Sequence, residues 1–347
     1  MHRRTLLRGA ASLLATLPTM QARANDRDGW RRYTVTTKVD LAASAGPDAT
    51  LWLPVAQSVG TYQRVAALKF ETDGQAELVK DARYKASVLR VRWLKAGPRT
   101  VTLTQTIATR DRTLDATPLT ASERRFWLES VPSLPTDGIV KTTAERIVAG
   151  HDTPRARARA IYDWVVDNTF RDAATRGCGI GGIDNMLRTG LMGGKCADIN
   201  SLMVGLSRAA GLPARDAYGV RLGPSAFVKQ LGASGDVTHA QHCRAEVWLD
   251  GEGWLPVDPA DVRKVVLEAK LPVDSPEVKA QRERLFGSWE MNWMAYNHAT
   301  DIALPGAARP MDEHFLMYPC AMTAKDELDQ LDPAKFRYAI TSMPVVA

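Results

Sequence analysis

A cysteine, a histidine and an aspartate follow one another along the chain in contexts that suit nucleophilic chemistry. Cys196 lies in the segment Gly193–Asp198, directly before a run with helical periodicity. His242 opens the segment His242–Val247, and Asp258 ends the segment Trp254–Asp258. A thiol nucleophile needs a base that accepts its proton and a third group that orients the base. These residue types in this order predict such a set, although its members must meet in space rather than in sequence.

The sequence around Cys196 favours a reactive thiol over a structural one. A helix N-terminus lowers the pKa of a thiol through the helix dipole and unpaired N–H groups, which could also receive an oxyanion. Gly193 and Gly194 allow a tight turn and leave space beside the sulfur. A buried structural cysteine is the commoner fate of the residue type. A site after two glycines at a helix start is a poor core position, so we interpret Cys196 as the candidate nucleophile.

His242 and Asp258 are predicted to lie at the same end of a β-hairpin. Strict alternation places His242 on the face opposite the apolar set Cys243, Ala245, Val247 and Leu249. A turn at residues 250–253 leads into a return strand that ends at Asp258, which could hold the imidazole and set its tautomer. The sequence does not fix the register. Taken singly, the two residues could be a surface histidine and an aspartate that caps a proline-containing turn.

The surrounding elements predict two parts of different type. Residues 30–110 contain short alternating segments separated by turns, which is typical of a β-sandwich. Helical patterns follow, with a capped start at Asp152-Thr153-Pro154 and a helix from Cys196 that ends at Gly211. We therefore expect a targeting segment over 1–24, an accessory β-sandwich over 25–115, a linker over 116–138 and a catalytic domain over 139–347 with a C-terminal extension.

The N-terminus predicts export. Arg3 and Arg4 precede a short apolar run, and Ala22-Arg23-Ala24 resembles a cleavage site, which favours a bacterial twin-arginine signal over an ordinary secretory signal or an uncleaved anchor. The segment 1–24 carries four arginines and no acidic residue, so the net charge of +6 falls to +2 after its removal. We expect a periplasmic or secreted protein without a transmembrane segment in the mature chain, and without a nucleic-acid partner.

Other cysteines and histidines leave alternatives open. If Cys196 is a free thiol, Cys178, Cys243 and Cys320 allow at most one disulfide, for which Cys178–Cys320 is one possibility. His239 and His242 with Cys178 could be read as zinc ligands. The two histidines have opposite parity on one strand and no Cys-x-x-Cys pair is present, so we expect no metal site and no cofactor.

An aromatic group near the C-terminus has two interpretations. Its members could line a substrate groove, but their near-helical spacing is more typical of core or interdomain packing. The group consists of Trp289, Trp293, Tyr296 and Asn297.

Three separated blocks resemble the core of transglutaminase-like proteins. These are Gly193–Asp198 followed by Ala209–Arg215, then His242–Val247, then Gly253–Pro259. They agree with the family in order and spacing over roughly residues 140–262. The resemblance implies an α+β fold with a papain-like transglutaminase core, and the N-terminal region is similar to the β-sandwich that precedes this core in some bacterial members. It also implies that Cys196 is the nucleophile, His242 the base and Asp258 the orienting residue.

The chain also departs from the family pattern. Arg244 stands where many relatives have an aromatic residue, and no calcium-site signature is present, so calcium activation is not implied. The partner that would complete an oxyanion hole is unassigned; Asn185 is a candidate, although a cap on a loop turn is its favoured role.

Together these inferences predict an exported thiol enzyme that acts on a peptide or protein amide through a thioester, with hydrolysis favoured over transamidation. Two other classes stay open. One is a non-catalytic peptide- or partner-binding module that retains the fold, and the other is a structural or assembly factor that works through the β-domain.

Overall fold

The computed structural model describes residues 29–41, 48–310 and 314–345. The predicted targeting segment over 1–24 therefore lies outside the described residues. Within those ranges, no helix is both long enough and apolar enough to cross a membrane.

The described residues form an α+β structure, as predicted. Strands and helices are numbered in chain order. The strands are β1 (Arg31–Leu41), β2 (Ala49–Pro54), β3 (Gln63–Thr72), β4 (Gln75–Lys80), β5 (Ser87–Trp93), β6 (Thr100–Thr109), β7 (Phe170–Arg171), β8 (Gly193–Gly194), β9 (Ala214–Arg221), β10 (Gly235–Asp236), β11 (Gln241–Leu249), β12 (Gly253–Val257), β13 (Trp293–Asn297), β14 (Cys320–Thr323), β15 (Glu327–Leu328) and β16 (Phe336–Pro344). The helices are α1 (Ala121–Phe126), α2 (Gly138–Val148), α3 (Pro154–Asn168), α4 (Ile183–Thr189), α5 (Cys196–Ala209), α6 (Pro259–Ala269) and α7 (Pro276–Arg284).

Two antiparallel five-stranded sheets form the β-rich part of the molecule. One has the order β10-β16-β1-β6-β3, and the other has the order β15-β14-β2-β5-β4. Apolar side chains from both sheets form one buried cluster that includes Leu41, Leu53, Val91 and Leu103. The four segments predicted as strands between residues 33 and 109 are confirmed as β1, β2, β5 and β6.

The C-terminal strands belong to these same sheets. Strand β16 pairs with β1 along nine positions, from Tyr33–Pro344 to Leu41–Phe336. Strand β14 pairs with β2, with Cys320 opposite Trp52. Residues 320–344 therefore complete the β-sandwich that the first hundred residues begin.

The second core packs helices against a four-stranded sheet. The sheet has the order β12-β11-β9-β13, and helix α5 packs on it. The predicted helix from Cys196 is confirmed, and it ends before Gly211, whose φ of 80° is the left-handed conformation expected after a helix. The apolar face predicted for residues 242–249 is also confirmed, because Cys243, Ala245 and Val247 lie in the helical core.

The predicted linker contains a helix, and the aromatic group is part of the core. Residues 116–138, predicted as a linker, contain the short helix α1, which begins with a capping box between Thr120 and Glu123. The packing interpretation of Trp289, Trp293, Tyr296 and Asn297 is confirmed, because all four side chains are buried. Their spacing is not helical, however, since the last three lie in β13.

Candidate active site

Cys196 is the first residue of α5, which is buried along almost its whole length. The preceding Gly193–Gly194 form β8, which pairs in parallel with β7. A side chain at Gly194 would overlap the carboxyl group of Asp198, so the chain needs glycine to reach the helix start. The helix dipole at this position favours the thiolate of Cys196.

The carboxylate of Asp198 fixes the turn around the helix start. It accepts hydrogen bonds from the backbone N–H groups of Lys195 at 2.9 Å and of Ile180 and Gly181 at 3.0 Å each. These bonds tie the loop of residues 177–182 to the first turn of α5. Asp198 was not among the residues predicted for the site, although an acidic side chain three positions after the N-cap is a known sign of a helix start.

His242 and Asp258 meet at the end of the β11–β12 hairpin. The register pairs Ala245 with Val257, and Asp258 is the next residue. The Nε2 atom of His242 lies 2.7 Å from Oδ2 of Asp258. The other oxygen, Oδ1, caps helix α6 by accepting the N–H of Asp261 at 3.1 Å. Asp258 therefore both holds the imidazole and acts as a cap, which are the two roles that the sequence left open. The alternative of a surface histidine is wrong, because His242 is 3% exposed.

A cavity of about 700 Å³ brings Cys196 and His242 together. Because Asp258 holds Nε2, the Nδ1 atom is the ring nitrogen left for the sulfur. Hydrogen bonds from the thiols of Cys178 and Cys243, and then from His242, lower the pKa of Cys196 well below its ordinary value, although burial opposes this. The three residues predicted from the sequence are thus brought to one place, and a thiolate is the favoured form of the cysteine.

A second carboxylate controls the charge of His242. Oδ1 of Asp261 lies 3.3 Å from Nε2 of His242 and 2.5 Å from Nη2 of Arg221. Burial lowers the pKa of His242, but the carboxylates of Asp261 and Asp258 outweigh burial and leave this pKa above its ordinary value. Burial also raises the pKa of Asp261, yet Arg221 and His242 hold it far below its usual range. The site therefore favours an imidazolium beside a thiolate.

Arg244 balances the charge of Asp258 from the other side. Its Nε atom lies 3.4 Å from Oδ2 of Asp258, and its guanidinium lies over the ring of Trp293 at 4.8 Å and of Trp289 at 5.5 Å. Burial lowers the pKa of Arg244 to about 10, so the side chain is cationic at neutral pH. The arginine that departs from the family pattern therefore rests on aromatic rings supplied by another segment.

Two neutral side chains hold Asp258 and His242 in position. Nδ2 of Asn200 donates to Oδ1 of Asp258 at 3.2 Å and to the carbonyl of Cys243 at 2.8 Å. The indole N–H of Trp293 donates to the carbonyl of His242 at 2.8 Å. Sequence reasoning missed these two roles, because each residue reads locally as part of a helix or an aromatic core.

The donors near the sulfur differ from those expected. The N–H of Ala197 donates to the carbonyl of Cys178 at 2.9 Å, so this helix N–H is already used. Asn185 is exposed within α4 and does not line the cavity, whereas Gln241 and Tyr318 do. Gln241 and Tyr318 are therefore better placed than Asn185 to donate a hydrogen bond to an oxyanion.

All four cysteines are free and buried, so the possible Cys178–Cys320 disulfide is not formed. His239 is exposed at the cavity and does not join Cys178 and His242 in a ligand cluster among the residues described. His242, Asp258 and Asp261 do place ligand atoms within 4.8 Å of one another. Arg221 and Arg244 already pair with these carboxylates, so the group fits a charge network rather than a cation site.

The comparisons with known proteins agree with this architecture. A family profile described as the transglutaminase-like superfamily matches residues 141–259. An uncharacterized protein from Haemophilus influenzae is 36% identical over 335 residues, which cover 89% of this chain and 90% of that protein. The chain belongs to the transglutaminase-like superfamily.

One solved structure shares the fold over most of the chain. A proposed cysteine protease from Cytophaga hutchinsonii superposes with a TM-score of 0.57 at 12% identity, over 92% of each chain. The periplasmic domain of TgpA from Pseudomonas aeruginosa gives a TM-score of 0.35 at 18% identity, over 65% of this chain and 89% of that domain. The first similarity extends across the β-sandwich as well as the core, and the expected fold is thereby confirmed.

Proposed function

We propose that the protein is a thiol enzyme that cleaves an amide or peptide bond through a thioester. In this proposal Cys196 is the nucleophile, His242 the acid and base, and Asp258 the group that orients the imidazole. One observation carries it: Cys196 at a helix N-terminus shares a cavity with His242, whose far nitrogen lies 2.7 Å from Asp258. A non-catalytic binding module has no need of all three groups.

The proposed reaction begins from the thiolate–imidazolium pair. The sulfur of Cys196 attacks the carbonyl carbon and forms the C–S bond. His242 donates its proton to the leaving nitrogen as the C–N bond breaks, which releases an amine and leaves the thioester. His242 then takes a proton from water, whose oxygen attacks the thioester carbonyl. The C–S bond breaks, the acid product leaves, and the thiolate–imidazolium pair is restored.

Hydrolysis is proposed over transamidation because of the expected location. The signal predicted over 1–24 would export the chain to the periplasm or beyond, where water is the abundant acceptor. The expected division into a sandwich over 25–115, a linker over 116–138 and a catalytic part over 139–347 needs one change, because residues 320–344 complete the sandwich. Adding glycine methyl ester to a peptide digest separates the two reactions, since only transamidation transfers the amine to a product.

The pH dependence of alkylation at Cys196 by iodoacetamide tests the catalytic pair directly. We expect fast labelling well below the pKa of a free thiol, about 8.5. In His242→Ala the labelling rate near pH 6 should fall by roughly tenfold or more, which corresponds to a rise of at least one pH unit in the thiol pKa.

His151→Ala is the matched control, because this histidine is exposed and lies at the end of α2, away from the cavity lining. Mass spectrometry of the Cys196 peptide separates its labelling from that of the other thiols. If labelling of the wild-type protein and of His242→Ala rises only with an ordinary thiol pKa, the catalytic proposal fails and the binding module becomes the better interpretation.

A further inference from the structure

Apart from the thiolate of Cys196, whose charge the imidazolium of His242 balances, the cavity is lined by positive charge alone. Among the described residues that line it, six are permanently basic and none carries a carboxylate. The six are Arg171, Arg176, Lys195, Arg221, Lys264 and Arg337.

Half of these cations are neutralised by carboxylates that lie outside the cavity lining. Each of the three has one partner, and the pairs are Arg221 with Asp261 at 2.5 Å, Arg176 with Asp329 at 2.6 Å and Arg337 with Asp40 at 2.8 Å. These pairs explain three of the six positive charges without any ligand.

The other three cations share a single carboxylate. Arg171 and Lys264 both lie 3.8 Å from Glu268, at the long end of ion-pair distance. Lys195 forms no ion pair with any residue that the structure describes. Burial and the neighbouring Arg221 lower the pKa of Lys264, as expected where positive charge exceeds negative charge. The cavity therefore lacks about two negative charges.

We infer that the amide substrate carries a carboxylate beside the bond that is cleaved, and that Lys264, Arg171 and Lys195 bind it. The inference rests on the proposed function, since it assigns the substrate class of that same site: an acidic peptide. Lys195 directly precedes Cys196, and both residues line the same cavity. A half-enclosed cavity with charge of one sign concentrates oppositely charged ligands and screens them less than open solvent does.

The remaining cavity wall fits the rest of a peptide. Tyr318, Leu331, Phe336 and Tyr338 line the same space and offer apolar surface, while Gln241 offers an amide. A cavity of about 700 Å³ is within the range that holds small molecules and short peptide segments, about 300–1,000 Å³. The same cavity therefore offers apolar and amide surface in addition to the cations.

Three probes with one reactive group test the inference without a known substrate. They are the iodoacetyl derivatives of glutamic acid α-amide, of glutamine α-amide and of phosphoethanolamine. All three alkylate Cys196 by the same displacement of iodide, so the ratio of their rates reports the preference for the attached group. The same ratios measured on N-acetylcysteine provide the reference for a thiol outside a cavity.

We expect the glutamate probe to label Cys196 about tenfold faster than the glutamine probe at low salt, relative to the reference thiol. This preference should fall several-fold in Lys264→Met and in Lys195→Met, and should shrink in 0.5 M KCl. Lys279→Met is the matched control, because this exposed lysine of α7 does not line the cavity, and its ratio should equal that of the wild-type protein.

The outcomes separate this inference from the proposed function. The pH profile with the neutral glutamine probe reports activation of Cys196, whereas the ratio of glutamate to glutamine rates reports charge selection alone. A ratio near that of the reference thiol, or one that neither lysine variant changes, would overturn the acidic-peptide assignment while leaving the triad intact. Faster labelling by the phosphate probe alone would replace the carboxylate with a phosphate group and overturn it as well.

Discussion

At the residue scale, the charge of His242 depends on a competition between burial and two carboxylates. The ring is 3% exposed, and burial alone would leave it neutral. Asp261 and Asp258 reverse this outcome and raise the pKa of His242 above its ordinary value. Only Asp258 forms the short 2.7 Å bond that also orients the ring, so Asp258 supplies both charge and orientation, whereas Asp261 supplies charge.

Replacing each aspartate should separate these two roles. Asp261→Asn and Asp258→Asn should both lower the pKa of His242, measured by NMR titration of the ring, because each removes a negative charge. Only Asp258→Asn should also remove the orienting carboxylate and slow alkylation of Cys196 at pH 6 by roughly tenfold or more.

The pH dependence of stability provides an independent check on the direction of the pKa shift of His242. A raised pKa in the folded state stabilises the wild-type protein below the pKa of the unfolded chain, about 6.5, and this stability is lost as pH rises through the folded-state pKa. The corresponding slope in the free energy of unfolding should be weaker in Asp261→Asn. An unchanged His242 titration in both variants would contradict the assignment of these carboxylates as the cause.

The sequence could predict the three candidate site residues but not their charge network. Cys196, His242 and Asp258 each lie in a segment whose residue types are informative on their own. Arg221 and Asp261 reach the site from the end of one strand and the first turn of a helix 40 positions later. Their 2.5 Å contact depends on the pairing of β11 with β9 and with β12, and the sequence left the register of the β11–β12 hairpin open.

At the element scale, the start of α5 depends on one buried carboxylate. Asp198→Ala would leave three backbone N–H groups at Lys195, Ile180 and Gly181 without their acceptor. We expect a loss of about 2–4 kcal/mol in the free energy of unfolding, measured in urea, because buried donors without partners are costly. Labelling of Cys196 should slow as well, because the helix start is no longer fixed.

Asp184→Ala is the control for this prediction. Asp184 lies in the first turn of α4 and pairs with Arg188 on the surface, at 2.6 Å, with 40% of its side chain exposed. Its removal should change the free energy of unfolding by no more than about 0.5 kcal/mol. Equal losses in the two variants would show that Asp198 has no special role.

The strands of the β-sandwich show which sequence patterns predict an element and which do not. The segments that became β1 and β6 were predicted because apolar residues recur at alternate positions along most of their length. Strands β3 and β4 were missed, since most of their side chains are exposed or only half-buried and the pattern is weak. The Asp73-Gly74 turn between them joins two different sheets rather than a hairpin, which local signals could not reveal.

At the scale of the whole molecule, strand β16 links the β-sandwich to the candidate active site. It pairs with β1 in the sheet, and its residues Phe336, Arg337 and Tyr338 also line the cavity beside Cys196. Arg337 pairs with Asp40, 297 positions away in the chain. Residues so far apart in the chain give no local sequence pattern that would predict their contact. This segment was therefore predicted only as part of a C-terminal extension.

Phe336→Ala tests whether this strand couples the two parts. The side chain is 1% exposed and belongs to the apolar cluster between the two sheets, so its truncation should cost about 3–5 kcal/mol of unfolding free energy. Met343→Ala on the same strand is the control; that side chain is 60% exposed, and its loss should cost no more than about 0.5 kcal/mol.

Urea unfolding should be followed by tryptophan fluorescence and by the exposure of Cys320, in β14, to a thiol reagent. Coincident transitions, both shifted by Phe336→Ala, would mean that the sandwich and the catalytic core unfold as one unit. A sandwich that opens first, while alkylation of Cys196 retains its native pH profile, would instead mean that the cavity forms without β16.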